Sequence, residues 1–255
     1  MAYLKSALKS ALFPVRRAGA RFFNLDENRQ NSIIYKAAQI ISAELVEGDY
    51  LEFGVFRGAS LIRSFHTMKE LYHRRSLDPI HSPEYHRQVL ALWKKMRFFA
   101  FDSFSGLPAS TGLDRQSKDF SECDFDCGIS AFYGELRRHR VDLAKVVAIE
   151  GWFEKTCQEE TIKQHGIKAA SIVHIDCDLY ESTKLVLKFI EPLLVDGTVL
   201  IFDDWYCFRG NPDLGEQRAF AEWTKGLPNW RFSEYQKEGE WRNSFIASQL
   251  YVPRG

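Results

Sequence analysis

The sequence predicts an α/β fold: a doubly wound, mostly parallel sheet of about seven strands behind an N-terminal helical extension. Three observations predict it. Five short apolar runs, Tyr50–Phe53, Phe98–Phe101, Val146–Ile149, Ser171–Ile175 and Thr198–Phe202, read as strands buried on both faces. Helical stretches separate most of them, which implies βαβ units and parallel pairing. Glycine or acidic residues follow each run, at the carboxyl ends where open α/β sheets bind ligands.

Taken in order, the first element stands apart. Residues 1–22 carry Lys5, Lys9, Arg16, Arg17 and Arg21 and no acid, with Leu4, Leu8 and Leu12 on one helical face. This is a basic amphipathic helix ended by Pro14. It either docks on its own domain or frays, or it packs on a partner or lies on an anionic membrane surface. Residues 1–30 are therefore divided from a single domain over residues 31–255. Ser32 to Leu45 has helical periodicity through Ile33, Ile34, Ala37, Ile40 and Ile41. The five strands follow. After them Trp230–Tyr235 and Ser244–Val252 read as an antiparallel hairpin closing one sheet edge. Two segments fit less well. Residues 71–97 are polar and basic, and residues 109–130 are rich in Ser, Asp, Gly and Cys. Both read as long loops of the kind that form lids or binding loops.

Composition bounds the function. The chain has 255 residues, 45% hydrophobic and 27% charged, enough for a large core without disulfides. Lys+Arg and Asp+Glu are 34 each, a balance that argues against a nucleic-acid partner. No apolar run reaches the roughly 18 residues of a membrane span, and no apolar signal core precedes the domain. A cytoplasmic location with reduced thiols is expected. Cys123 and Cys127 form a C-x3-C without a second ligand pair at zinc-finger spacing, so zinc is not expected there.

The strand ends carry the candidate chemistry. Glu52-Phe53-Gly54-Val55-Phe56-Arg57-Gly58-Ala59-Ser60 is a glycine turn between a strand and a helix, where backbone can approach a cofactor. Such turns also serve packing. Asp102, followed by Ser103 and Phe104, is placed to accept ribose hydroxyls or to cap its own turn. Gly151, Trp152 and Phe153 either wall an adenine ring or pack in the core. The fourth and fifth ends bring Asp176, Asp178, Asp203 and Asp204 towards one rim. Carboxylates that close repel one another, and a hard divalent cation such as Mg²⁺ relieves the repulsion. His174 is read as a core or helix-facing side chain pointing away from that rim.

The strings LEFGVFRGAS, FDSFSGLP, EGWFEKT, HIDCDLYEST and LIFDDWY, in this order and spacing, resemble the macrocin O-methyltransferase family over about Gly48 to Asp204, more loosely to Trp223. The resemblance implies a Rossmann-like class I methyltransferase fold that binds S-adenosylmethionine and Mg²⁺. It assigns Glu52, Gly54, Gly58 and Ser60, with Phe56 and Arg57 between them, to the methionine part of the cofactor. It assigns Asp102 to the ribose, with Ser103 and Phe104 beside it, and Gly151 and Trp152 to the adenine. Asp176, Asp203 and Asp204 match the metal ligands, Asp176 also bordering the cofactor. Asp176 or Asp178 is the expected proton acceptor. The expected reaction is methyl transfer to a hydroxyl of a sugar-like or other vicinal-diol acceptor, a small molecule or glycan. Segments 71–97 and 109–130 would shape the acceptor pocket. Peripheral membrane contact through residues 1–22 and a homo-oligomer stay open. Two rival expectations are a nucleotide-cofactor oxidoreductase, disfavoured by the missing G-x-G-x-x-G, and a non-catalytic interaction module on the same fold.

Overall fold

The computed structural model describes residues 30–106 and 127–250. Residues 1–22, where a basic helix is expected, Cys123 and most of segment 109–130 lie outside the described residues.

Helix α1 (Ile33–Ala43) starts where Ser32 accepts the Tyr35 N–H, and it buries Ile33, Ile34, Ala37, Ala38 and Ile41. Strand β1 (Asp49–Phe53) leads into α2 (Ala59–Ser76) and α3 (Pro83–Lys95). Strand β2 (Phe98–Asp102), α4 (Ile129–Arg138), β3 (Val146–Glu150) and the short helices α5 (Phe153–Thr156) and α6 (Glu159–His165) follow. The chain continues through β4 (Ala170–Ile175), α7 (Tyr180–Ile190), β5 (Leu194–Phe202), α8 (Gly215–Lys225), β6 (Trp230–Glu238) and β7 (Arg242–Gln249).

These strands form one seven-stranded sheet in the order β3-β2-β1-β4-β5-β7-β6. The first five pair in parallel, and β7 runs antiparallel to both β5 and β6. The strand order reverses between β1 and β4, the switch point where ligands of such sheets bind. The expected hairpin closes the sheet with its second strand inside, so β6 is the edge.

Side-chain alternation divides the core. Tyr50, Phe98, Ala100, Ile172 and Ile201 face α1–α4. Leu51, Phe53, Phe101, Val173, Ile175 and Phe202 face the α7 and α8 layer. Phe53 stacks on Phe101 at 4.6 Å, with Phe189 of α7 edge-on at 5.9 Å. Each fully buried Phe contributes about 3–5 kcal/mol relative to alanine. On β1 and β4 the α1–α2 face also receives Glu52 and His174, polar groups in an apolar layer.

Segment 71–97 is not a loop and does not reach the rim where the strands end. It comprises the end of α2 and the whole of α3, whose N-cap Ser82 accepts the Tyr85 N–H and whose first residue is Pro83. Its basic residues include His73, Arg74 and Arg75 in the last turn of α2 and Lys94 and Lys95 in that of α3, where positive charge suits the helix dipole. Tyr85 donates to the Ser42 and Ala43 carbonyls, and Lys145 donates to those of Trp93 (2.6 Å) and Met96 (2.8 Å). These contacts pin the segment at the amino-terminal rim, where β1 and β2 begin. The expectation that it shapes an acceptor pocket at the opposite rim is thereby overturned.

Candidate active site

A cavity opens beyond the carboxyl ends of β1–β4, lined by Gly54, Phe56, Asp102, Ser103, Gly151, Trp152, Asp176 and Asp178, among others. Gly54 is required by space. Its φ is +83°, and a Cβ there would stand 1.9 Å from the Asp176 carbonyl oxygen. Gly58, at φ +82°, is packed so closely on Phe132 that a Cβ would meet the ring at 2.8 Å. Asp102 ties the turn down: its Oδ2 accepts the Val55 and Phe56 N–H groups at 2.7 and 2.9 Å, and its Oδ1 accepts that of Phe104 at 2.7 Å. A carboxylate oxygen has room for further donors, so this anchoring leaves ribose recognition available. Ser103 closes its turn on the Gly106 carbonyl at 2.7 Å. Phe104 turns inward, buried against Phe132, and is not among the lining residues.

Glu52 does not line the cavity; it is fully buried behind the glycine turn. Ser60 donates to its Oε1 at 2.5 Å, and the Tyr50 hydroxyl donates to its Oε2. Ser64 donates to Tyr50 at 3.0 Å. His174 continues the line. Its Nδ1 lies 3.3 Å from the Tyr50 hydroxyl, and its Nε2 lies 3.1 Å from Asp203. The expectation that His174 points away from the rim is corrected. It precedes Asp176 by two residues, and positions two apart on a strand share a face. Burial disfavours its charged form, but hydrogen bonds and the charges of Asp203 and Glu52 outweigh that and lift the pKa to about 10. Arg242 closes the line with Nε 2.5 Å and Nη2 3.1 Å from the two oxygens of Asp203. Against its own burial, His174 and Arg242 lower the Asp203 pKa to about 2.

The acidic residues thus divide. Asp203 belongs to the buried ionic line. Among the described residues, Asp176, Asp178 and Asp204 bring carboxylate oxygens within 4.8 Å of one another. Asp178 reaches this place through a left-handed backbone, φ +59°. Burial and then repulsion from Asp203 and Asp204 raise the Asp176 pKa, and burial and Asp203 raise that of Asp204. Glu216, at the start of α8, accepts the Asp204 N–H at 3.1 Å. Burial, then Asp204 and Asp176, raise its pKa. Among the described residues, Asp204 Oδ2 and Glu216 Oε1 are buried carboxylate oxygens without a hydrogen-bond partner. An all-oxygen, net-negative donor set with orphaned acceptors fits a hard divalent cation. Cys177 is buried against the Phe53 carbonyl, and burial raises its thiol pKa far, so it is no nucleophile.

A second cavity lies across β1, bordered by Ile33, Ile34, Arg57, Ser60, Arg63, His174, Asp176 and Arg242. Asp176 and Phe56 line both cavities. Of the residues assigned to the methionine end of a cofactor, Arg57 and Ser60 face this second space. Sequence reasoning missed Tyr50, Glu216 and Arg242. Tyr50 was legible, since it lies two residues before Glu52 on the same strand. Arg242 was not, because its place beside Asp203 follows from the β5–β7 register.

Comparisons with known proteins bear on the family and the fold. The macrocin-O-methyltransferase (TylF) family profile matches residues 87–217, just over half of the chain. The O-methyltransferase NovP superposes with a TM-score of 0.61 at 18% identity, over 87% of this chain and 80% of that one. Two structures of CalS11, a calicheamicin methyltransferase described in one as a TDP-rhamnose 3'-O-methyltransferase, give 0.59 and 0.51 at 22% and 20% identity, each over 87% of this chain and 79% of theirs. An O-methyltransferase from Bacillus cereus in complex with SAH gives 0.52 at 13% identity, over 95% and 91%. No curated protein matches by sequence. Among the described residues, no helix is long and apolar enough to cross a membrane.

Proposed function

This chain belongs to the macrocin-O-methyltransferase family and is an S-adenosylmethionine-dependent O-methyltransferase; we propose that it methylates a hydroxyl of a sugar-like or other vicinal-diol acceptor beside a divalent cation held by Asp176, Asp178 and Asp204. The family membership sets aside the oxidoreductase and non-catalytic readings. The observation that carries the finer proposal is Asp176, which walls both cavities and belongs to the converging carboxylates.

In this reading the first cavity takes the cofactor. Asp102 serves the ribose, Gly151 and Trp152 the adenine, and the Gly54 turn the methionine end. Glu52 and Ser60 support that turn from behind. The second cavity takes the acceptor, small molecule or glycan, in the cytoplasm and within a single domain over residues 31–255. S-adenosylmethionine, when bound, would supply an activated methyl carbon to the acceptor hydroxyl oxygen, its carbon–sulfur electron pair passing to sulfur, and Asp176 or Asp178 would take the hydroxyl proton. Mg²⁺, when bound, supplies charge that lowers a coordinated hydroxyl pKa and offsets the repulsion among the acids.

Calorimetric titration of S-adenosylhomocysteine, in EDTA and again with Mg²⁺ and a diol sugar, tests this. Micromolar binding that responds to Mg²⁺ is expected. No binding in either buffer would overturn the cofactor assignment, and binding indifferent to Mg²⁺ and diol together would overturn the metal.

A further inference from the structure

Acids open several helices of this chain. Glu84 of α3, Glu154 of α5, Glu159 and Glu160 of α6 and Glu181 of α7 are all exposed, and the helix dipole accounts for them. Glu216, the second residue of α8, differs: it is 1% exposed. The buried acids of β1 are provided with donors. Glu52 receives the Ser60 and Tyr50 hydroxyls, and Asp49 receives the Arg97 guanidinium. Glu216 has the Asp204 N–H on Oε2 at 3.1 Å, and its Oε1 has no partner among the described residues. The charges that act most strongly on it are all negative, Asp204 first and then Asp176, Asp203 and Asp178. Asp204 repeats the pattern. Its Oδ1 accepts the Cys207 thiol at 3.3 Å, and its buried Oδ2 has no partner among the described residues.

Resting on the reading that Asp176, Asp178 and Asp204 hold a divalent cation, we propose that Glu216 is a positioning residue of that site: its Oε2 fixes the Asp204 backbone, and its Oε1 takes a hydrogen bond from the water shell of the cation. Starting a helix accounts for the bond to Asp204 N–H but not for a bare oxygen buried beside four acids. That oxygen needs a hydrogen donor that also brings positive charge. A hydrated cation meets both needs, because Mg²⁺ keeps several waters and their hydrogens point outward. Glu216 is not among the three residues whose oxygens gather within 4.8 Å of one another, so it stands outside the direct donor set. Outer partners of this kind change metal affinity by about ten- to a hundredfold. The start of α8 thereby joins a site otherwise built from the ends of β4 and β5.

The test is calorimetric titration of Mg²⁺ into the full-length protein in excess S-adenosylhomocysteine, for the wild type, E216Q and D204N. A wild type that binds no Mg²⁺ at millimolar concentration overturns the metal reading itself, and the proposal with it. Given wild-type binding, E216Q is expected to bind Mg²⁺ tenfold or more weakly. Its amide oxygen can still accept the Asp204 N–H, so its Tm in EDTA should be unchanged or higher. Wild-type Mg²⁺ affinity in E216Q overturns the proposal, leaves the metal reading standing and returns Glu216 to a helix-start role. A loss as complete as that in D204N overturns the positioning role and makes Glu216 a direct ligand. If E216Q does not fold, E216D takes its place, since it keeps the charge and draws the oxygens back by one methylene. Weakening of threefold or more in E216D then supports the proposal, and wild-type affinity overturns it.

Discussion

Arg242 on β7 grips Asp203 at the end of β5 through two nitrogens, Nε at 2.5 Å and Nη2 at 3.1 Å. Two antiparallel strands therefore set the position of an acid that precedes Asp204 by one residue. The side chains are 32% and 18% exposed, so the pair is partly screened. R242M should cost about 1–2 kcal/mol, and Tm should fall by roughly 2–4 °C for each. Differential scanning calorimetry reads this directly. R242K, which keeps the charge but not the fork, should recover part of the loss.

Asp204 separates charge repulsion from metal binding. In EDTA, D204N removes one of three crowded carboxylates and should leave Tm unchanged or a few degrees higher. The Mg²⁺-dependent rise in Tm expected of the wild type should be lost in the variant. A wild type whose melting ignores millimolar Mg²⁺ would remove the metal from the mechanism.

Gly54 and Gly134 make a matched pair. G54A puts a Cβ 1.9 Å from the Asp176 carbonyl oxygen on a backbone at φ +83°. It should lower S-adenosylhomocysteine affinity at least tenfold or prevent folding. G134A lies on an exposed turn of α4 with nothing within 4 Å. It should be neutral or stabilise by about 0.5–1 kcal/mol, with cofactor affinity unchanged. Titration and urea unfolding of both variants check the contrast.

Lys145 offers a control at the far rim. Its ammonium caps the end of α3 through the carbonyls of Trp93, Lys94 and Met96. K145M should lower the urea midpoint by an amount equivalent to about 1–2 kcal/mol. S-adenosylhomocysteine affinity should not change, because the site lies at the other ends of the strands.

The strands were legible because parallel strands covered on both faces are continuous apolar runs, and Phe98–Phe101 or Thr198–Phe202 admit little else. Segment 71–97 was misread for the opposite reason. Val89 is the one buried residue of α3, so the helix lacks a wide apolar stripe, although Ser82-Pro83-Glu84 carried a start signal. At the site, the sequence brought four aspartates to one rim. It could not divide them, because the division depends on Arg242 arriving from β7. The error over His174 was one of parity, since it shares a strand face with Asp176, as Tyr50 does with Glu52. Phe104 was assigned by adjacency to Asp102, but a left-handed backbone at φ +52° turns it into the core.

The shared wall between the two cavities also sets terms for redesign. Trp152, Asp102 and Gly151 border one space, and Ile33, Ile34, Arg57 and Arg63 border the other. Among the described residues, only Phe56 and Asp176 belong to both. If the two cavities divide donor from acceptor as proposed, a combinatorial library confined to Ile33 and Ile34 of α1 and Arg63 of α2 would sample new acceptors and leave Ser60 and the glycine turn in place. One confined to the β3–α5 turn would sample donor analogues on an unchanged acceptor. Changes at Phe56 or Asp176 would alter both selectivities at once.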